Sequence, residues 1–214
     1  MSHLPVDASR EAEPIRLFES DFMEFFTHIS PVTIVIVWLP IAVYFLLSGA
    51  AAEPGVARSA VLPLGFLLGL VLWTFAEYTL HRFLFHYQPK TPLEARIFFL
   101  FHGVHHAQPQ VKTRLVMPLP VSIPMSALLY GLIYLLVTVL LESPQWVGPI
   151  MSGFLVGYLA YDLTHYATHH RAMRSGLGKF LKRHHMQHHY KDPKTRFGVS
   201  SPFWDFVFRT QGGA

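Results

Sequence analysis

Four stretches of this chain run without Asp, Glu, Lys or Arg for long enough to cross a bilayer, which takes about 20 apolar residues. They are Phe25 to Ala52, Ser59 to Ala76, Leu115 to Leu141 and Ser143 to Tyr161. Each predicts a membrane-spanning helix, and the second, the shortest, is expected to continue through Glu77 into the aqueous phase. The first does not read as a cleavable leader, because it is long, follows an acidic amphipathic segment and lacks a basic start. Just before it, Phe18, Phe22, Phe25, Phe26 and Ile29 recur at helical spacing, and Asp21 with Glu24 resembles a capping pair. An interfacial helix is predicted there, with an extension of the first span as the alternative. The polar, aperiodic residues Met1 to Pro14 predict a mobile segment, and 15–214 a single membrane-embedded domain without internal repeats.

Pro40 and Pro63 are tolerable inside membrane helices and are expected to bend or start them. The run Gln88-Pro-Lys-Thr-Pro92 breaks the chain after His86, and a further helix follows from Arg96 to His106. Pro118, Pro120 and Pro124 mark re-entry into the membrane, and Glu142 to Trp146 forms a short outer turn with Trp146 as an interface anchor. Lys179 to His189 reads as helix, and Phe203, Trp204, Phe206 and Phe208 press the tail against lipid or other helices. The predicted class is therefore all-α, with four transmembrane helices.

Composition agrees with a membrane protein that has wet parts: 51% of the 214 residues are hydrophobic, and mean hydropathy is +0.33. Of the 17 Lys and Arg residues, only Arg58 falls in the loops joining spans one to two and three to four. By the positive-inside rule the other loops and both termini are cytoplasmic. The pI of about 9.4 then reflects topology, with some attraction to anionic lipid, and implies no nucleic-acid partner. Cysteine is absent, which excludes disulfides, thiolate-held zinc and iron–sulfur clusters.

All but His3 and His28 of the 14 histidines fall in four clusters: His81/His86, His102/His105/His106, His165/His169/His170 and His184/His185/His188/His189. Each cluster lies in or opens into a predicted cytoplasmic segment. Scattered surface or core histidines would not repeat at intervals of three and four, which place rings on one helical face. His165 and His169 are expected to share one face, as are His185 and His188, and His102 is expected to pair with both His105 and His106. Adjacent pairs such as His105/His106 and His188/His189 diverge by about 100°, which suits two metals better than one. His81 and His86 diverge by about 140° on a regular helix, implying a break between them or two destinations. Setting His170 and His184 aside leaves five imidazoles per metal with a position open on each. That oversupplies structural or hydrolytic zinc and suits iron with oxygen, although zinc and manganese stay open. Glu77 and Asp162 are expected behind the ligands, accepting from ring N–H groups, with plain helix-end charges as the alternative.

Two other classes compete. A transporter gathers polar groups near the midplane, whereas these spans are nearly bare of them; metal storage or sensing stays open. An intramembrane metalloprotease would need His-Glu-x-x-His, which is missing.

Read in order, Glu77-Tyr-Thr-Leu-His81 with His86, His102-Gly-Val-His105-His106, Asp162-Leu-Thr-His165 with His169-His170, and His185-Met-Gln-His188-His189 resemble the integral-membrane fatty acid hydroxylase superfamily. The likeness is greatest to fatty acid 2-hydroxylases. It extends to Arg16-Leu-Phe-Glu-Ser-Asp21, Trp38-Leu-Pro40, Arg114-Leu-Val-Met-Pro118 and Ser200-Ser-Pro-Phe-Trp204-Asp205, nearly the whole chain from Arg16 onward. The resemblance implies membrane helices under a cytoplasmic helical cap and a dimetal (di-iron) centre held by His81, His86, His102, His105, His106, His165, His169, His185, His188 and His189. It places His170 behind the ligands and leaves His184 unassigned, at a position where the family often has an aromatic residue. The implied reaction is O2-dependent hydroxylation at carbon 2 of a fatty acyl chain, free or in a sphingolipid. Other lipid, sterol or carotenoid hydroxylases and desaturases with the same site are the alternative. A substrate carboxyl or amide is assigned to Lys112, Arg114 or Tyr166. Unlike many relatives, the sequence carries no cytochrome b5 domain or His-Pro-Gly-Gly heme motif. Electrons are therefore expected from a separate cytochrome b5-like or ferredoxin/reductase donor. A bacterial inner membrane is the expected location, or the endoplasmic reticulum in a eukaryote.

Overall fold

The computed structural model describes residues 13–52 and 56–213, and every regular element among them is helical. The mobile segment expected over 1–14 lies outside the described residues except for Glu13 and Pro14. Helix α1 (Asp21–Phe25) is one short turn. Ser20 caps it, and Glu24 reaches back to the Leu17 and Phe18 N–H groups at 2.9 Å each. The chain then turns through 26–30 before α2 (Pro31–Ala52), so α1 stands apart from the first span. Pro31 enforces the separation, because the residue before proline disfavours helical backbone.

Helix α3 (Val56–Thr79) runs on without interruption as a π-helical turn, Leu80–Phe85. Thr91 and Glu94 form a capping box that opens α4 (Pro92–Phe98), which continues through a second π-turn (Phe99–Gly103) into α5 (Val104–Ala107). Helix α6 (Leu119–Tyr134) extends into Leu135–Leu140, and α7 (Val147–His170), α8 (Gly176–Tyr190) and α9 (Phe203–Val207) complete the fold.

Among the described residues three helices are long and apolar enough to cross a membrane, over Pro31–Ala51, Ala60–Phe85 and Lys112–Leu140. Helix α7, expected as the fourth span, is not among them despite its 24 residues. The reason is its place in the bundle: it is sheathed by α2 and α3, and Val147 through Leu155 are all buried. A helix wrapped by protein can carry Gly148, Ser152, Gly153 and Gly157, where one facing lipid needs apolar side chains. Trp38, Trp73, Met151, Phe154, Leu155 and Tyr158 form the core at this junction. The α3 and α7 backbones touch. A Cβ on Gly69 would lie 2.1 Å from the Ile150 carbonyl oxygen, and one on Gly153 would lie 2.0 Å from that of Phe66. Helix α6 does the opposite, turning Leu128, Leu132, Leu135 and Leu140 outward as a surface for lipid.

This packing brings the ends of α3 and α7 to one end of the bundle, where α5 and α8 close over them. The histidines sit at that junction.

Candidate metal centre

Ten imidazoles converge there in two groups of five: His81, His86, His102, His106 and His188, and His105, His165, His169, His185 and His189. In each group, one ring nitrogen per residue lies within 4.8 Å of all the others. His81 and His86 share a group because Leu80–Phe85 is wound as a π-turn, with the His86 N–H donating to the His81 carbonyl at 3.1 Å. The wider turn does what neither a break nor two destinations was needed to do. His102 pairs with His106, four residues on, while His105 turns to the second group. His165 and His169 share a face as expected. The expected pairing of His185 with His188 does not form: His185 joins His189, its i+4 neighbour, and His188 faces the first group. Four residues return nearly a full turn where three fall short, so the i+4 partner wins.

The Nε2 atoms meet at 3.2 Å (His81/His102), 3.0 Å (His102/His106) and 2.9 Å (His86/His188) in the first group. In the second they meet at 3.0 Å (His105/His165), 2.9 Å (His105/His189) and 2.9 Å (His169/His185). Donors ~2.1 Å from one ion lie ~3.0 Å apart at right angles and ~3.4 Å apart at the tetrahedral angle. Most of the observed spacings lie nearer the right-angle value, and with five donors in each group the sets fit ions of five or six coordination. Protonation agrees. Burial, followed by the charge of neighbouring rings, pushes His86 down to about 3 and His106 to about 2. Burial carries His188 to about 4 against the opposing Thr195 carbonyl. These rings are neutral near pH 7, with lone pairs available to a cation.

The groups behind the ligands differ from expectation. Neither Glu77 nor Asp162 accepts from an imidazole N–H among the described residues; Glu77 binds the Val199 and Ser200 N–H groups, and Asp162 faces that of Met117. Carboxylates at these helix ends meet incoming loops before they meet the rings. The acceptors are instead main-chain carbonyls, with His81 Nδ1 donating to Phe197 at 2.5 Å and His188 Nδ1 to Thr195 at 2.7 Å. A carbonyl acceptor has no signature in sequence. His170 lies outside both groups, its ring 4.9 Å from that of Tyr166, and His184 bonds to Asp205.

A cavity of about 480 Å³ adjoins both groups, with His102 of the first and His105 and His165 of the second in its wall. That volume lies in the range of small-molecule sites. Its other walls are mostly apolar, and the N-terminal segment supplies one of them through Leu17, Phe18, Phe22 and Phe26. Of the three candidate headgroup residues only Arg114 reaches this cavity; Lys112 and Tyr166 do not line it. Arg114 is buried and ties the N-terminal segment down, donating to the Ile15 carbonyl and the Glu24 carboxylate.

Comparison with known proteins agrees with this geometry. Residues 66–210, which carry all ten clustered rings, match the family model for fatty acid hydroxylases. The chain belongs to the fatty acid hydroxylase family. Among members of that family, a dihydroceramide fatty acyl 2-hydroxylase of Arabidopsis thaliana is 38% identical over 92% of this chain and 80% of its own length. The ceramide very long chain fatty acid hydroxylase of Schizosaccharomyces pombe is 39% identical over 90% of this chain, which spans 54% of that relative. The fatty acid 2-hydroxylase of Homo sapiens is 35% identical over 97% of this chain, which spans 58% of it. The solved structure of full-length scs7p, in which only the hydroxylase domain is visible, superposes with a TM-score of 0.81. It shares 34% identity and covers 90% of this chain and 70% of its own.

Proposed function

We propose that this fatty acid hydroxylase family member hydroxylates carbon 2 of a fatty acyl chain, free or amide-linked in a sphingolipid. The observation that carries the proposal is the meeting of an apolar cavity with histidines of both donor groups. An acyl tail fits the apolar walls, and the carbons next to its polar end then lie at His102, His105 and His165. The names of the relatives, which specify fatty acyl or ceramide substrates and position 2, support this choice.

Each five-histidine group would hold one iron ion, with a coordination position left for oxygen. When bound, the iron pair supplies O2 activation: with two electrons and two protons, one oxygen atom enters the C–H bond and the other leaves as water. The chain's own residues do the rest. The ten rings set the donor geometry, and the N-terminal aromatics shut water out of the cavity. Arg114 holds that wall in place and, with its Nε unpartnered among the described residues, has one donor left for a substrate carbonyl. The electrons come from a redox donor of the cytochrome b5 or ferredoxin/reductase type. Helix α7 would complete four spans, with the metal end and both termini cytoplasmic, in a bacterial inner membrane or its endoplasmic reticulum equivalent. Residues 15–214 would act as one domain.

The test is mass spectrometry of hydrolysed lipids from cells that express the chain or its His169→Ala variant under ¹⁸O-labelled oxygen. A labelled 2-hydroxy acyl product that requires His169 is expected. Label at another carbon, or a product equally abundant in the variant, would overturn the proposal.

A further inference from the structure

The two donor groups are alike in number but not in support. Between α8 and α9, four successive main-chain N–H groups are taken up by two buried carboxylates. Phe197 and Gly198 donate to Asp205 at 2.9 and 2.8 Å, and Val199 and Ser200 donate to Glu77 at 2.6 and 2.8 Å. The Ser200 hydroxyl adds a further bond to Glu77. Asp205 is itself held by Thr210 Oγ1 at 2.7 Å and by His184 Nε2 at 3.2 Å, and it is wholly buried. The loop needs this support, because it is not a relaxed one. Arg196 adopts φ of +62°, and a Cβ at Gly198 would come within 2.1 Å of the Ser201 carbonyl oxygen. A non-glycine residue in the left-handed region costs free energy that its surroundings must offset.

What the loop offers in return is the pair of carbonyls described above, Phe197 to His81 and Thr195 to His188, both in the first group. In the second group the Nδ1 atoms of His105, His169 and His185 are buried without an acceptor among the described residues, and His165 has only a weakly aligned Leu115 carbonyl beside it. A ring whose far N–H is held by an acceptor keeps its orientation and is a stronger base.

We propose that Glu77, Asp205 and His184 are positioning residues for the first group, acting through the Phe197 and Thr195 carbonyls, so that the two metal sites are unequal. The first site is built before the ion arrives, whereas the second must order its rings around the ion and releases it more readily. His184 thus acts on a ligand's support rather than as a ligand. The inference rests on the dimetal reading of the two groups.

The experiment loads full-length protein in detergent with ⁵⁷Fe, follows iron loss to EDTA by elemental mass spectrometry, and records Mössbauer spectra before and during the loss. Wild-type protein is expected to lose iron in two phases, with one quadrupole doublet fading first. His169→Ala should lack that same doublet, which assigns it to the second group. Asp205→Asn should accelerate the slow phase by about 10- to 100-fold and shift only the slow doublet. A general loss of structure would disturb both doublets together. Ser200→Ala, which removes one bond to Glu77 and no charge, should act in the same direction and stands in if Asp205→Asn fails to fold. Two irons that leave wild-type protein in a single phase, or a variant that accelerates both phases equally, would overturn the inequality while leaving the dimetal reading intact. Folded wild-type protein that takes up fewer than two irons would remove both.

Discussion

His106 and His189 stack their imidazoles with centroids 4.2 Å apart and planes 21° from parallel, although the two rings belong to different donor groups. Each has a sequence neighbour, His105 or His188, in the group opposite to its own. Because successive residues on a helix point about 100° apart, two short helices can each serve two ions, and the stacked pair forms the seam between them.

Removing one ring at that seam should therefore empty one site more than the other. His189→Ala is expected to lower iron content from two per chain towards one. Hydroxylation should fall by at least ~100-fold, since losing a ligand costs more than losing a ligand's support. Elemental analysis beside the lipid assay checks this; undiminished iron at both sites would remove His189 from the ligand set.

The clamp at the N-terminal wall is a buried ion pair, with Arg114 and Glu24 side chains only 3% and 14% exposed. Glu24→Ala leaves the Arg114 cation uncompensated, which should cost ~3 kcal/mol. The double variant Glu24→Ala/Arg114→Met should recover part of that loss. Thermal unfolding in detergent, compared across the three proteins, reads the difference; equal melting of the single variant and wild type would show that the clamp contributes nothing.

Close contact between α3 and α7 makes Gly69 intolerant of a side chain. Gly69→Ala places a methyl against the Ile150 carbonyl and should destabilise by ~1–3 kcal/mol through overpacking. Gly131→Ala on the lipid-facing α6 meets nothing within 4 Å and should be neutral or stabilise by up to ~1 kcal/mol from helix propensity. A lowered melting temperature for Gly69→Ala and an unchanged or raised one for Gly131→Ala are the expected result.

Filling the cavity should alter which acyl chains react without touching the metals. Val121 lines the cavity away from the histidine clusters in sequence. Val121→Phe is expected to reduce turnover of the longest acyl chains by about 10-fold or more relative to shorter ones, with iron content unchanged. An unaltered chain-length profile of 2-hydroxy products would place the tail elsewhere.

Asp205 supplies a pH signature. Burial alone would raise its carboxyl pKa, but hydrogen bonds from His184, Thr210, Gly198 and Phe197 outweigh it and hold the group below the usual carboxylate range. A depressed folded-state value adds stability that is fully present above the unfolded value of about 3.9 and is lost as pH falls through the folded one. The stability gap between wild type and Asp205→Asn should thus be constant above pH ~5 and narrow below pH ~4. A gap independent of pH throughout that range would show that the carboxylate's charge is not what matters.

The local pattern of the chain was enough to reveal much of this protein. Charge-free runs mark the apolar helices, since lipid demands side chains that carry no charge, and histidines at intervals of three to five mark the metal-facing helix ends. Both are properties of single elements, so periodicity displays them directly. Which ring serves which group was not legible. His81 and His86 come together only because the end of α3 winds as a π-turn, and only the packing of α8 decides that His185 and His189 share their group with His105, His165 and His169. Nor could sequence show that α7 lies buried between α2 and α3, or that Phe197 and Thr195 support two rings through backbone atoms every residue possesses. Sequence by itself determined the donors and the apolar faces, because those are matters of side-chain chemistry and helical period. Tertiary structure alone decided the pairing, the supports and the cavity, because these depend on distances between residues as far apart in the chain as His86 and His188.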